Sequence, residues 1–83
     1  EKYGKMYCHY HEDEIIYVLD AKDAYVEYGE LQDNMPNRKE LQAGDVLRFR
    51  NGECHVFKFT SKDGYLDIIF YFSQGKIKVV EVV

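Results

Sequence analysis

Long apolar runs, tryptophan and clustered positive charge are all missing from this chain of 83 residues. No segment approaches the roughly 18–20 consecutive apolar residues that a membrane-spanning helix needs, and none has the layout of a secretory signal. Lysine and arginine number 11 against 15 aspartates and glutamates, which gives a formal net charge of −4. An acidic domain without a basic cluster excludes nucleic acid and anionic membrane as main partners. We therefore expect a cytoplasmic protein.

Cysteine is also scarce, with only Cys8 and Cys54 in the chain. Two cysteines are too few for the disulfide scaffold of a small secreted domain. Each directly precedes a histidine, and neighbours on a strand point to opposite faces, so each thiol should face away from whatever the histidine binds. The composition predicts two reduced, buried thiols. A disulfide or a thiolate ligand is the alternative.

Proline occurs once, whereas strand-forming aromatic residues are plentiful, with eight tyrosines and five phenylalanines. Segments of β-type periodicity alternate with turn sequences such as Asn51-Gly52 and Asp63-Gly64. The predicted strands cover residues 5–9, 14–20, 24–30, 45–49, 54–60, 65–73 and 76–82, with a weaker one at 38–41. A tight hairpin turn is predicted at residues 20–23, and no segment predicts a helix. The pattern indicates one all-β domain over residues 1–83, a sandwich or barrel of about seven or eight short antiparallel strands.

Several predicted strands are apolar on both faces. In the strand at 14–20, Ile15, Tyr17 and Leu19 alternate with Ile16 and Val18. One face of a small barrel packs inward, and the other needs a cover, which a symmetric partner commonly supplies. We therefore expect a homodimer.

The three histidines of the chain lie in two short segments. His9 and His11 share one strand face because side chains alternate with period two. Glu14 opens the next strand after an acidic turn, and His55 follows the turn at Gly52. Three imidazoles and a carboxylate suit divalent Fe, Mn, Ni, Co, Cu or Zn better than Ca²⁺ or Mg²⁺. The sequence thus predicts a divalent transition metal held by His9, His11, Glu14 and His55.

Both segments resemble the paired motifs of the cupin superfamily. The matching positions are Gly4, His9, His11, Glu14 and the run 17–19 in the first motif, and Gly44, Gly52 and His55 in the second. Glu14 follows His11 one residue sooner than in the motif. Glu12 or Asp13 could therefore take its place, or the three histidines could hold the metal without a carboxylate.

The resemblance implies a jelly-roll β-barrel that is commonly dimeric and binds the metal inside. Cupins usually have further strands before the first motif, and few residues precede that motif in this sequence. The resemblance also implies that the strands bearing the two motifs are neighbours in one sheet. That arrangement would place Cys8 and Cys54 on adjacent strands, where a disulfide is conceivable.

The cupin fold does not fix a reaction, because the superfamily includes oxygenases, decarboxylases, isomerases, lyases and binding domains. We expect a metal-dependent enzyme that acts on a small polar metabolite, such as a carboxylate or a sugar derivative. The alternative is a non-catalytic module that binds a small ligand or uses the metal for stability. Tyr7 and Arg48 are candidate substrate contacts, although a packed core tyrosine and an exposed strand charge are the commoner roles for such residues.

Overall fold

The structure is a computed structural model, and it describes residues 2–3, 7–8, 13–50, 52–72, 75 and 77–82. Every regular element among these residues is a β-strand, which confirms the all-β prediction. In this described part of the chain, no helix is long and apolar enough to cross a membrane.

The described residues form nine strands, whereas the sequence predicts about seven or eight. The first two strands have only two residues each. The nine are β1 (Lys2–Tyr3), β2 (Tyr7–Cys8), β3 (Glu14–Lys22), β4 (Ala24–Gly29), β5 (Asn37–Glu40), β6 (Val46–Phe49), β7 (Cys54–Phe59), β8 (Tyr65–Phe72) and β9 (Ile77–Val82). Period-two alternation located the longer strands to within two residues at either end. It did not indicate β1, which is too short to show a pattern.

The strands form two antiparallel sheets. Sheet A has the order β1-β7-β4-β5, with β2 also paired to β7, and sheet B has the order β6-β3-β8-β9. No pairing joins the two sheets among the residues that the structure describes, so the expected closed barrel is wrong. The physical reason is visible between β5 and β6, because the turn between them carries the chain from an edge of sheet A to an edge of sheet B.

The segment at residues 20–23 is a second correction. It was expected to be a hairpin turn, yet β3 and β4 belong to different sheets. The chain changes sheets at Asp23, whose φ of 51° lies in the left-handed region that aspartate tolerates better than most residues. The Asp23 carbonyl accepts a hydrogen bond from the Thr60 amide at 2.8 Å, and its Oδ2 accepts one from Ser61 Oγ at 2.8 Å. Both bonds fix the crossing.

The core lies between the inner faces of the two sheets. On β3, Ile16 and Val18 are fully buried, whereas Ile15 and Tyr17 are 39% and 43% exposed. The core cluster draws residues from both sheets: Ile16, Val18, Ala24, Val26, Leu41, Leu47, Phe49, Phe57, Phe59, Leu66 and Ile68. Each fully buried large apolar side chain stabilises the fold by roughly 1.5–3 kcal/mol.

Candidate functional site

Two polar side chains lie inside this apolar core. Glu14 is the first residue of β3 and shares the inner face with Ile16, because side chains alternate along a strand. His55 is the second residue of β7 and shares the inner face of sheet A with Phe57. Glu14 is 3% exposed and His55 is fully buried. Both sheets therefore contribute one ionisable group to the same interior.

These two groups meet across the gap between the sheets. The Nε2 atom of His55 lies 3.5 Å from Oε1 of Glu14. Burying an imidazole and a carboxylate is costly unless they are paired with each other or with a cation. The structure thus brings together two of the four predicted site residues, which lie 41 positions apart in the chain.

Aromatic rings line the pair. The Phe49 ring stacks on the His55 imidazole with centroids 4.1 Å apart and planes 4° from parallel. The Phe57 ring meets the imidazole edge-on at 5.3 Å, and Tyr28 meets Phe49 edge-on at 5.9 Å. Such walls hold the imidazole plane in one orientation. They also exclude water, which strengthens any electrostatic interaction that the pair makes.

The other two predicted ligands, His9 and His11, lie outside the described residues, as does the side chain of Tyr7. The described residues on either side of this segment adjoin the pair. Tyr7 is the register partner of His55 on β7, and Asp13 directly precedes Glu14. Among the residues that the structure describes, no three His, Cys, Asp or Glu side chains are grouped closely enough to hold a metal.

Arg48 does not lie at the buried pair. Its Nη2 donates a hydrogen bond to Oδ2 of Asp13 at 2.7 Å, and 55% of its side chain is exposed. Asp13 is thus engaged in a surface ion pair that closes the start of β3 against β6. This contact makes Asp13 a weaker candidate than Glu14 for the carboxylate of the site.

Cys8 and Cys54 form a disulfide, so the expectation of two reduced thiols is wrong. The reason is the strand register, because β2 pairs with β7 so that the two cysteines lie directly opposite each other, with Cα atoms 3.9 Å apart. Neither sulfur is then a thiolate that could bind a metal. Cys54 and His55 are neighbours on β7, and the disulfide lies on the opposite face of the strand from the imidazole.

Sequence reasoning did not indicate a surface cavity of about 330 Å³ at the end of sheet A. Its walls come from Gly29, Glu53 and part of the loop at residues 30–37, and neither Glu14 nor His55 reaches it. A side chain at Gly29 would collide with the Asn34 carbonyl, since a Cβ there would lie 2.6 Å from that oxygen. The only proline of the chain, Pro36, was the sole signal that this loop has a fixed shape.

No protein-family model matches this sequence, and no curated protein matches it either. Among solved structures, the fold is similar to that of BH2720 from Bacillus halodurans, with a TM-score of 0.72 and 18% sequence identity. The match covers 92% of this chain and 60% of the other, so this chain spans about three-fifths of the length of BH2720. Identity this low shows a shared fold and carries no function across.

Proposed function

We propose that this chain is a small cupin-like, jelly-roll protein that binds a divalent transition metal through His9, His11, Glu14 and His55. The observation that carries the proposal is the buried contact between Glu14 and His55, which joins the two sheets inside an otherwise apolar core. A core that is selected only for stability has little reason to bury an ionisable group from each sheet.

The spacing of the pair fits a shared ion. Imidazole nitrogen and carboxylate oxygen bind a zinc-sized ion at about 2.0–2.2 Å, so two such ligands at a tetrahedral angle lie about 3.4 Å apart. At a right angle, as around an octahedral ion, they lie about 3 Å apart. The observed separation of 3.5 Å between His55 Nε2 and Glu14 Oε1 is close to the tetrahedral value and about 0.5 Å longer than the right-angle value. The two side chains therefore need little movement to share one cation.

The chain order supports His9 and His11 as the remaining ligands. They follow β2, whose residue Tyr7 is paired with His55, and they precede Asp13 and Glu14. In the sequence, the four residues 9–12 thus connect β2, which pairs with β7 at His55, to Asp13 and Glu14. Because the disulfide removes thiolates, the donor set is imidazole and carboxylate, which suits Fe, Mn, Co, Ni, Cu or Zn.

The activity that we infer for such a site is metal-dependent chemistry on a small polar metabolite, such as a carboxylate or a sugar derivative. A bound metal would supply Lewis-acid polarisation of a substrate oxygen. Glu14 and His55 would hold the ion, and the Phe49 ring would fix the imidazole plane and exclude water.

A non-catalytic module is the second candidate, and the burial of the pair favours it. Glu14 is 3% exposed and His55 is fully buried, while the described cavity of about 330 Å³ lies elsewhere. A metal at that position would then stabilise the sandwich or hold a small ligand without turnover. Oxygen uptake and product analysis with candidate carboxylates and sugars separate the two, because only the enzyme changes its ligand.

A homodimer is part of the proposal. The outer face of sheet B exposes apolar side chains on three neighbouring strands, namely Ile15, Tyr17, Leu19, Val46 and Tyr71. The register places Ile15 opposite Tyr71 and Tyr17 opposite Val46, so these residues form one continuous patch. A second copy of the same sheet would cover the patch symmetrically.

The decisive experiment is elemental analysis of untagged protein, purified without a metal column. We expect about one divalent transition metal per chain, lost in His55→Ala and in the double variant His9→Ala/His11→Ala. Arg48→Gln is the matched control, because Arg48 lies on β6, next to β3, without contacting the pair. This variant should keep the metal. The proposal is refuted if the wild-type protein contains no metal and none of the divalent ions from Mn²⁺ to Zn²⁺ raises its melting temperature.

A further inference from the structure

We propose that the Cys8–Cys54 disulfide is a reversible redox site that holds β2 on β7 beside His55, so that its reduction releases β2 and weakens the metal site. The claim about the metal rests on the function proposed above. The claim about the strand rests on the described geometry alone.

The attachment of β2 is slight apart from the disulfide. β2 has two residues, and β7 is its strand partner in the described structure, through the register pairs Tyr7↔His55 and Cys8↔Cys54. By contrast, β4 makes six register pairs with the same strand. Two pairs offset little of the conformational entropy that is lost when a chain segment is ordered. The disulfide is therefore the main constraint that keeps β2 in register.

The covalent constraint is also long-range. It closes a loop between cysteines that are 46 residues apart, and in the chain-entropy model the constraint grows with loop length. Once the disulfide is broken, β1 and β2 are held on β7 by only two register pairs each. The rest of the sandwich does not depend on the disulfide, because β3 pairs with β8 in sheet B, and β4 with β7 in sheet A, along most of their lengths.

Release of β2 would directly affect His55, because β2 pairs with β7 at this residue. Its backbone lies between Tyr7 of β2 on one side and Tyr28 of β4 on the other. When β2 leaves, β7 becomes a sheet edge at His55, and only β4 supports the strand there. The chain that β2 leads into by sequence carries His9 and His11, so the same event uncouples both parts of the proposed ligand set.

The two sulfurs differ in access. Cys54 is buried, with 3% of its surface exposed, whereas Cys8 is half-buried. An external thiolate therefore attacks Sγ of Cys8, the S–S bond breaks, and Cys54 leaves as a thiolate that takes up a proton. A second external thiol attacks the mixed disulfide and frees Cys8. Two external thiols are thereby oxidised to one disulfide while both cysteines are reduced. In a cytoplasmic protein, the location predicted from the sequence, such pairs are typically redox-sensing.

The test is hydrogen–deuterium exchange on wild-type protein, oxidised and then reduced in a glutathione buffer of cytosolic composition. We expect exchange at residues 7–8 and 54–55 to speed up by roughly tenfold or more on reduction, while β3 and β8 stay protected. Reoxidation should restore the original rates. The variant Cys8→Ala/Cys54→Ala is the matched control, which should exchange like the reduced protein and should not respond to thiols.

The affinity for Mn²⁺ is measured in the same states, because thiolates are poor ligands for this ion and cannot mimic the site. We expect it to fall roughly tenfold or more on reduction, the scale on which groups that orient metal ligands act. A disulfide that resists glutathione in the native protein but not in the denatured one would overturn the redox claim. Unchanged exchange after reduction, or loss of protection throughout β3 and β8, would overturn it too. Absence of binding in both states, for Mn²⁺ and for the other divalent ions up to Zn²⁺, would refute the proposed function, and the exchange rates would still decide the redox claim.

Discussion

The interior of the sandwich has two ends of opposite chemistry, built on the same two strands. On β3, Glu14 is the first residue and Val18 lies four residues further along the same inner face; on β7, His55 and Phe59 are likewise four residues apart. All four side chains are buried. Burial is therefore the same at both ends, and only the chemistry of the buried groups differs.

We expect the two ends to contribute differently to the free energy of unfolding. A fully buried apolar side chain stabilises the fold by roughly 1.5–3 kcal/mol. A buried polar group costs roughly 1–3 kcal/mol when its hydrogen bonds to water are not replaced, and a buried ion pair at best breaks even with apolar residues of similar volume. The comparison teaches that the apolar end holds the sandwich together. The polar end, with Glu14 and His55 3.5 Å apart, is where the proposed metal would bind.

The largest effect on stability is expected at the apolar end. Ile68 is fully buried on β8, and Ile68→Ala should lower the free energy of unfolding by about 2–5 kcal/mol, through lost burial and the cavity left behind. Chemical denaturation measures this change. Ile68→Val, expected to cost about 0.5–1.5 kcal/mol, provides a graded control that stays folded. The metal content per folded molecule should not change in either variant; if it falls, the two ends are not separable.

The opposite result is expected at the polar end. The double variant Glu14→Met/His55→Leu replaces the pair by apolar side chains of similar size. In metal-free protein it should be neutral or raise the free energy of unfolding by up to about 4 kcal/mol, because the cost of desolvating the pair disappears. Metal binding should be lost at the same time. A strong destabilisation of the metal-free protein would instead mean that the pair is a structural element, and the contrast between the ends would fail.

The same strand offers a smaller test of inside against outside. Tyr17 is 43% exposed on the outer face of sheet B and is the neighbour of the fully buried Val18. Tyr17→Lys should dissociate the proposed homodimer and leave the free energy of unfolding of the monomer within about 0.5 kcal/mol of wild type. Light scattering after size exclusion measures the mass. Glu40→Lys, an exposed change on β5 of sheet A, is the control and should stay dimeric. If the wild-type protein is a monomer at micromolar concentration, the proposed homodimer is wrong.

Much of the fold was accessible from the sequence because strands with one inner face alternate with period two. The run from Ile15 to Val18 predicted β3, but it left open which side is buried, because both faces of the strand are apolar. Pairing was not accessible in the same way. The turn chemistry around Asp23 indicates where the chain bends, but it does not say that the next strand joins the other sheet.

The site was partly predictable for a related reason. Spacing and ligand type brought Glu14 and His55 into one hypothesis, and the structure places these two side chains 3.5 Å apart, although the metal itself stays a prediction. The disulfide was only the alternative to two reduced thiols, because composition does not predict strand register. The bond depends on Cys8 lying directly opposite Cys54. His9 and His11 stay a prediction, which the metal analysis tests.

The smallest effect is expected from a polar contact on the outside of the apolar end. Tyr65 donates a hydrogen bond from its hydroxyl to Oδ2 of Asp20 at 3.1 Å. This bond, and then the negative charge of the same carboxylate, raise the pKa of Tyr65 above its usual value near 10. The folded state thus favours the neutral phenol, so the small stabilisation is present below about pH 10 and is lost as pH rises through the raised pKa.

Absorbance titration of the phenolates should therefore contain a transition above the usual pKa near 10, and Tyr65→Phe should remove that transition. Asp20→Asn should lower the pKa of Tyr65, because the charge of the acceptor is gone while an amide oxygen can still accept the bond. Neither change should alter the metal content, since solvent screens this exposed contact and the buried pair lies at the other end of β3. If Asp20→Asn leaves the late transition in place, the charge of Asp20 is not its cause. If the same variant loses metal, the outer surface of the apolar end is coupled to the polar end, and the division between the two ends is wrong.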